Sequence, residues 1–147
     1  VTTALILVNA TTTWYLTGLI WTIQAVHYPL FDQVGNESFP AYEAEHARRI
    51  TWVVGPPMII ELITSATLVF WRPEPIPAWW AWTGLALVGV IWVSTVALQV
   101  PQHNRLAKRF EPGAHRMLVS SNWVRTLAWS ARAGLALYAL VILWPNS

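Results

Sequence analysis

Apolar residues do not alternate along this chain; they run on. Four long apolar stretches, at about residues 4–30, 51–71, 78–100 and 114–144, are separated by short polar segments. Each is near or above the roughly 20 helical residues that cross a hydrocarbon layer of about 30 Å. Lipid offers backbone groups no hydrogen-bond partner, so runs of this kind are expected as helices. The pattern predicts an all-α fold: an antiparallel bundle of four transmembrane helices, integral to the membrane, in a single domain over residues 1–147.

The ends of these runs carry their own signals. The first closes at Tyr28-Pro29, since proline disfavours helix at the residue before it. Pro40 suits the first turn of a second helix. Its opening segment, AYEAEHARRI, is too charged for lipid and predicts an interfacial helix start over residues 40–50. Pro56-Pro57 is expected to kink this helix, and RPEPIP to form a tight non-helical turn. Pro101 is expected to stop the third span, leaving QHNRLAKRFEPG as a polar loop. No internal repeat stands out.

Composition agrees and narrows the chemistry. The chain is 55% hydrophobic and 11% charged, where soluble domains carry charge on about a quarter of positions. It has no cysteine, which excludes disulfides, thiolate metal sites, iron–sulfur clusters and thioether-linked haem. Its glycines form neither GxGxxG nor GxxxxGK[ST], so phosphate-cradling loops are excluded. The opening Val1-Thr-Thr-Ala has no basic n-region, so a secretory signal is not expected there.

Charge sets orientation. The formal surplus is only +2, which argues for membrane orientation and not for a nucleic-acid partner. Arg48, Arg49, Arg105, Lys108, Arg109 and Arg116 share one face of the predicted bundle, and the other has Arg72. By the positive-inside rule the loaded loops lie in the cytoplasm and both termini outside, as in a bacterial inner membrane. On the sparse face Trp14, Trp71, Trp79, Trp80, Trp82 and Trp144 are expected to form an interfacial belt.

The threading gathers chemistry at the loaded end. His27 ends the first span, His46 opens the second helix, His103 follows the third span and His115 opens the fourth. In a bundle with neighbouring axes about 8–10 Å apart, such side chains converge. Imidazole ligates zinc, iron and copper, and a pair can hold haem. Glu43 and His46 form a Glu-x-x-His pair on one helical face. His27, Glu43, His46 and His103 are thus the candidate metal ligands, with Gln24 and Gln99 spaced to orient the rings. The competing reading is of structural or proton-handling histidines, and His115, after a Glu-Pro-Gly turn, is expected to face solvent.

A second group lies within the lipid. Glu61 is roughly 15 Å along the second span at helical rise, and Arg125 is at comparable depth in the fourth. Asn122, Arg125, Trp129 and Arg132 form one stripe. Ionised groups at that depth pair with each other or face a wet cavity. The expectation is a Glu61–Arg125 pair, with Arg132 held by carbonyls or by an anionic or quinone-like oxygen. A polar clamp that merely fixes helix register is the alternative.

VPQHNRLA at the end of span three and SSNWVRTLAWSARAGLAL in span four give the chain a resemblance. It resembles the anthrone oxygenase-like family of small four-span membrane proteins, with their V-P-x-N-x-x-L and W-N-x-V-R-T stretches. HYPLF and ARRI…GPPM match the same layout less specifically. The resemblance points to Pro101, Asn104, Arg105, Leu106, Asn122, Arg125 and Thr126; the chain departs from it in having His103 in the first motif, and serine before Asn122 with Trp123 after. His27, followed by Pro29 and Phe31, is similar to a shorter pattern in haem-linked membrane protoporphyrinogen oxidases.

The resemblance implies oxidation of a small hydrophobic aromatic or quinone-like compound drawn from the bilayer. His27, His46 or His103 would act as base, with Glu61 and Arg125 completing the catalytic set and Arg125 stabilising an anion. Gln24, Gln99, Asn104, Asn122, Trp129 and Arg132 would bind the substrate. Dioxygen would react with the anion directly or at bound iron, copper or haem. The non-catalytic alternative is an accessory subunit packed against a larger membrane complex, holding a pigment or quinone.

Overall fold

The computed structural model describes residues 2–144, so Val1 of the opening Val-Thr-Thr-Ala and residues 145–147 lie outside it. Four helical rods are long and apolar enough to cross a membrane: Thr2–Gln33, Phe39–Phe70, Ala78–Leu106 and Pro112–Leu143. The first comprises α1 (Thr2–Thr22), a π-helical turn (Ile23–His27) and a 3₁₀ turn (Pro29–Gln33). The second is α2 (Phe39–Phe70). The third comprises α3 (Ala78–Ser94), a second π-helical turn (Thr95–Gln99) and α4 (Val100–Leu106), and the fourth is α5 (Pro112–Leu143). α1 packs on α2 and α5, and α3 packs on the same two, so the rods close into a ring with antiparallel neighbours. The all-α four-helix bundle is as the apolar pattern predicts.

Two boundaries differ, and proline is the reason in both. The third rod does not stop at Pro101 but continues to Leu106, which shortens the expected loop to a turn before Pro112. A proline inside a helix clashes with the carbonyl four residues back, here that of Ala97. The π turn at Thr95–Gln99 lies over that position, with the Val100 N–H bonded to the Thr95 carbonyl. The wider turn is a recognised way for a helix to absorb an irregularity. The same device precedes Pro29, where the Tyr28 N–H reaches the Ile23 carbonyl at 2.9 Å. Pro56 and Pro57 lie inside a continuous α2, and residues 71–77 are non-helical, as the RPEPIP turn requires.

Most side chains on the outer faces are apolar, as lipid contact demands: Ile63, Val93, Leu127 and Val141 are each about 60% exposed or more. Trp71, Trp79, Trp82 and Trp144 are exposed near rod ends. Trp80 and Trp14 leave the expected belt. Trp80 is buried and donates its indole N–H to the Leu135 carbonyl at 2.7 Å. Trp14 stands roughly 18 Å along α1 and donates to the Ala133 carbonyl at 3.3 Å. The buried Trp80 indole must find an acceptor, and α5 supplies it, as it does for the half-exposed Trp14.

At the rim carrying the two loaded connections, Arg105 and Arg109 both clasp Glu111, each at 2.9 Å. Hydrogen bonds from Arg109 and Arg105 hold its carboxyl below the ordinary carboxylate range. The threading puts Glu45 and Lys108 at this same rim. Because the chain has no cysteine, single Glu45→Cys and Lys108→Cys variants can be labelled cleanly. Both are expected to react with a membrane-impermeant maleimide from the same side of sealed vesicles; labelling from opposite sides would break the four-rod threading.

Candidate functional site

Polar side chains inside the bundle fall into three layers, stacked from mid-membrane to the loaded rim. The deepest is centred on Glu61 and Arg132, which are 1% and 4% exposed. Arg132 Nε donates to Glu61 Oε1 at 2.8 Å. Its Nη1 donates to the Gly84 carbonyl, and its Nη2 to Ser65 Oγ at 3.0 Å and Thr13 Oγ1 at 3.2 Å. Glu61 also accepts from the Thr13 hydroxyl at 2.7 Å and the Trp129 indole N–H at 3.0 Å. Asn9 closes the set by donating to Thr64 and Ser65. Every polar group here is satisfied, as buried charge in lipid requires.

The expected Glu61–Arg125 pair is therefore replaced by Glu61–Arg132. The reason is reach: Arg132 lies two turns further along α5, level with Glu61 in the antiparallel α2, whereas Arg125 is level with Thr95 and Gln24. Neither Glu61 nor Arg132 lines the cavity between α1, α2 and the third rod, and their closed geometry fits a register clamp. Gly84 belongs to this clamp, because a Cβ there would meet Arg132 Nη1 at 3.3 Å.

The middle layer is built on amides. Asn122 donates to Gln24 Oε1 at 2.8 Å and accepts from Arg125 through Nε at 3.0 Å and Nη2 at 2.6 Å. Gln24 donates onward to the Val119 carbonyl. Arg125 Nη1 donates to Thr95 Oγ1 at 3.2 Å, and its guanidinium lies 5.9 Å from the Trp129 ring centre. Gln99 accepts from Ser94 and donates to Ser121. Gln24, Thr95 and Gln99 all sit on the π turns, which direct them inward.

The rim layer holds the histidines, of which two pair with each other. His27 Nε2 meets His46 Nδ1 at 3.0 Å. His103 Nδ1 bonds Glu43, and its Nε2 meets the Tyr28 hydroxyl at 3.0 Å. With Glu43 ionised, Nδ1 carries the proton and Nε2 accepts from Tyr28, giving a Glu43–His103–Tyr28 relay. The rings of His46 and His103 are 5.8 Å apart. His115 does not face solvent: it is 9% exposed and bonds the Tyr28 carbonyl at 2.7 Å, holding the turn before Pro29.

The four expected metal ligands thus converge on one rim, but no group of three or more His, Asp or Glu side chains is set to hold a metal ion among the described residues. The ring nitrogens of His27 and His46 are also closer than the about 4 Å that two imidazoles leave across one metal, twice a metal–nitrogen bond. The donor set in this arrangement therefore fits neither a haem sandwiched by that pair nor a preformed metal centre. Glu43 Oε2 and His46 Nε2 are buried without a hydrogen-bond partner.

Between α1, α2 and the third rod lies a cavity of about 440 Å³, within the range of small-molecule sites. Leu16, Ile20, Ile23, Val54, Met58 and Trp92 give it apolar walls. Its polar points are Tyr28, Thr95, Gln99, His103, Asn104 and Arg125, with Trp129 beside them. Thr51 on α2 and Val96 and Val100 on the facing rod line it and are exposed. The opening is thus towards lipid, between the second and third rods. His27 and His46 border a different, more open groove with Tyr42, Glu45 and Arg49.

Of the residues singled out in the sequence, His103, Arg125, Gln99, Asn104 and Trp129 reach the cavity directly. Asn122 and Glu43 stand one hydrogen bond behind it, through Arg125 and His103, and Gln24 stands two behind, through Asn122. Tyr28 and Thr95 also line the cavity; the sequence marks Tyr28 only as the residue before a proline in HYPLF and gives no signal for Thr95. No known protein family, curated protein or solved structure matches the chain.

The clamp carries a stability prediction. Arg132→Met leaves the Glu61 carboxylate buried without its counter-charge, a loss of about 3–5 kcal/mol for pairs of this kind. Combining it with Glu61→Gln is expected to recover part of that loss. Equilibrium unfolding in mixed detergent checks both; additive losses would show that the two side chains do not act as a pair.

Proposed function

We propose that this integral membrane protein is an oxygenase-like oxidoreductase acting on a flat hydrophobic aromatic ring compound taken from the bilayer. The observation that carries the reading is a single cavity that opens to lipid and reaches the His103–Tyr28 hydrogen bond. A ring compound concentrated in the membrane enters without crossing water, and apolar walls hold its faces. His103, with one nitrogen held by Glu43, has its other directed at Tyr28 beside the ligand space. That is how a general base is fixed in one tautomer.

The resemblance to the anthrone oxygenase-like family is in keeping with this chemistry. A ring C–H next to a conjugated carbonyl is acidic because its anion is delocalised. His103 takes that proton, directly or with Tyr28 passing its own to Nε2 while accepting the substrate's. The carbanion then reacts with dioxygen. For an anthrone the sum is anthrone plus O₂ giving anthraquinone plus water: one oxygen atom becomes the new carbonyl and the other leaves with two hydrogens. The reading places this at the cytoplasmic end of the bundle, where the cationic loops gather.

Oxygen uptake with anthrone, using protein in lipid nanodiscs and empty nanodiscs as the baseline, tests the reading. The native protein is expected to accelerate uptake and yield anthraquinone. His103→Ala is expected to lower the rate about 10²–10⁴-fold, the usual worth of a positioned base, and Glu43→Gln to lower it less. A rate equal to that of empty nanodiscs, or one indifferent to His103→Ala, would remove the proposed reaction.

A further inference from the structure

Arg125 is the exception in an interior where the other deeply buried charges are matched. It is 6% exposed, and each of its acceptors, Asn122 Oδ1 and Thr95 Oγ1, is neutral. Glu61 is taken by Arg132 and Glu43 by His103. Among the described residues Arg125 has no carboxylate within salt-bridge distance. A cation held at that depth without a counter-charge is costly. It also lines the lipid-facing cavity. Its three protein hydrogen bonds leave N–H bonds on both terminal nitrogens, the fork that suits an oxyanion.

We propose that the cavity binds a lipophilic organic monoanion, a carboxylate or a phenolate, whose oxygen pairs with Arg125 while its hydrocarbon body fills the apolar space. The proposal rests on the ring-binding reading above and adds the charge of the ligand. The neutral acid enters from lipid between α2 and the third rod. Its O–H bond breaks as the Tyr28 oxygen takes the proton and passes its own to His103 Nε2. The imidazolium formed is paired with Glu43, and the anion left behind is paired with Arg125. One proton has moved, and each new charge has a partner.

Tryptophan-fluorescence titrations of the detergent-solubilised protein, corrected with empty micelles, test this with two acid–neutral pairs. These are anthracene-9-carboxylate with its methyl ester, and 4-nitro-1-naphthol with its methyl ether, at one pH where both acids are ionised in water. The native protein is expected to bind an acid at least tenfold more tightly than its neutral partner. Arg125→Met is expected to abolish that preference, Arg125→Lys to keep part of it, and Arg49→Met, at the exposed rim, to leave it intact. Preference for the carboxylate alone or for the naphtholate alone supports the proposal and identifies the acid class.

Ester and ether binding as tightly as the acids would overturn the anion and leave ring binding standing. Binding of none of the four would overturn both. An undiminished preference in Arg125→Met would also overturn the assignment to this residue. Should that variant not fold, the native comparison of acid with ester and ether decides alone.

Discussion

Removing water from around a charge sets the terms for the rest of this bundle. Glu61 and Arg132 are buried where lipid offers no hydrogen bonds, so they require each other and enough neutral donors and acceptors to satisfy every remaining lone pair and proton. Those partners come from all four rods: Asn9 and Thr13 from α1, Ser65 from α2, the Gly84 carbonyl from α3 and Trp129 from α5. Apolar packing in lipid distinguishes poorly between registers, because lipid tails are as apolar as leucine. A satisfied ion pair does distinguish them, since sliding one rod by a turn strands a charge. With that register fixed, the level of Arg125, the cavity and the histidine rim follows.

The two π turns work against that fixed frame. Each precedes a proline by two residues, and each widens the helix where a proline ring would meet the carbonyl four residues back. Widening one turn rotates the residues beyond it relative to those before. Gln24 comes inward on the first turn and Tyr28 just beyond it, Gln99 on the second and His103 beyond it. The irregularities that accommodate Pro29 and Pro101 therefore also face the polar side chains of two rods towards each other. Neither proline ends its rod as an ordinary helix stop would.

The four rods were legible in the sequence because hydrophobic run length is a direct record of bilayer thickness, and the gathering of His27, His46 and His103 followed from counting crossings. The partners were less legible. Approximate depth pairs Glu61 with Arg125, two helical turns from its partner Arg132, a difference that span length alone does not resolve. His115 was read from its local Glu-Pro-Gly turn, but a tertiary contact, the Tyr28 carbonyl, buries it. Tyr28 carried no sequence signal beyond its place before a proline, since its role depends on a residue 75 positions away. Trp80 was assigned to the belt by position when its hydrogen bond to α5 decides its burial.

Arg125 and Arg132 make the most instructive contrast, because they share one helix, one face and near-complete burial. They differ by two turns, about 10 Å of rise. Arg132 is enclosed by a carboxylate, hydroxyls and a carbonyl, and borders none of the cavity. Arg125 is held by one amide and one hydroxyl, lies over the Trp129 ring and opens onto the ligand space. Trp129 connects them: its N–H binds Glu61 in the closed layer while its ring floors the open one. Rigidity in the clamp is thereby transmitted to the wall of the cavity. A bundle built only for register would have no reason to hold a second guanidinium in place and leave its charge unmatched.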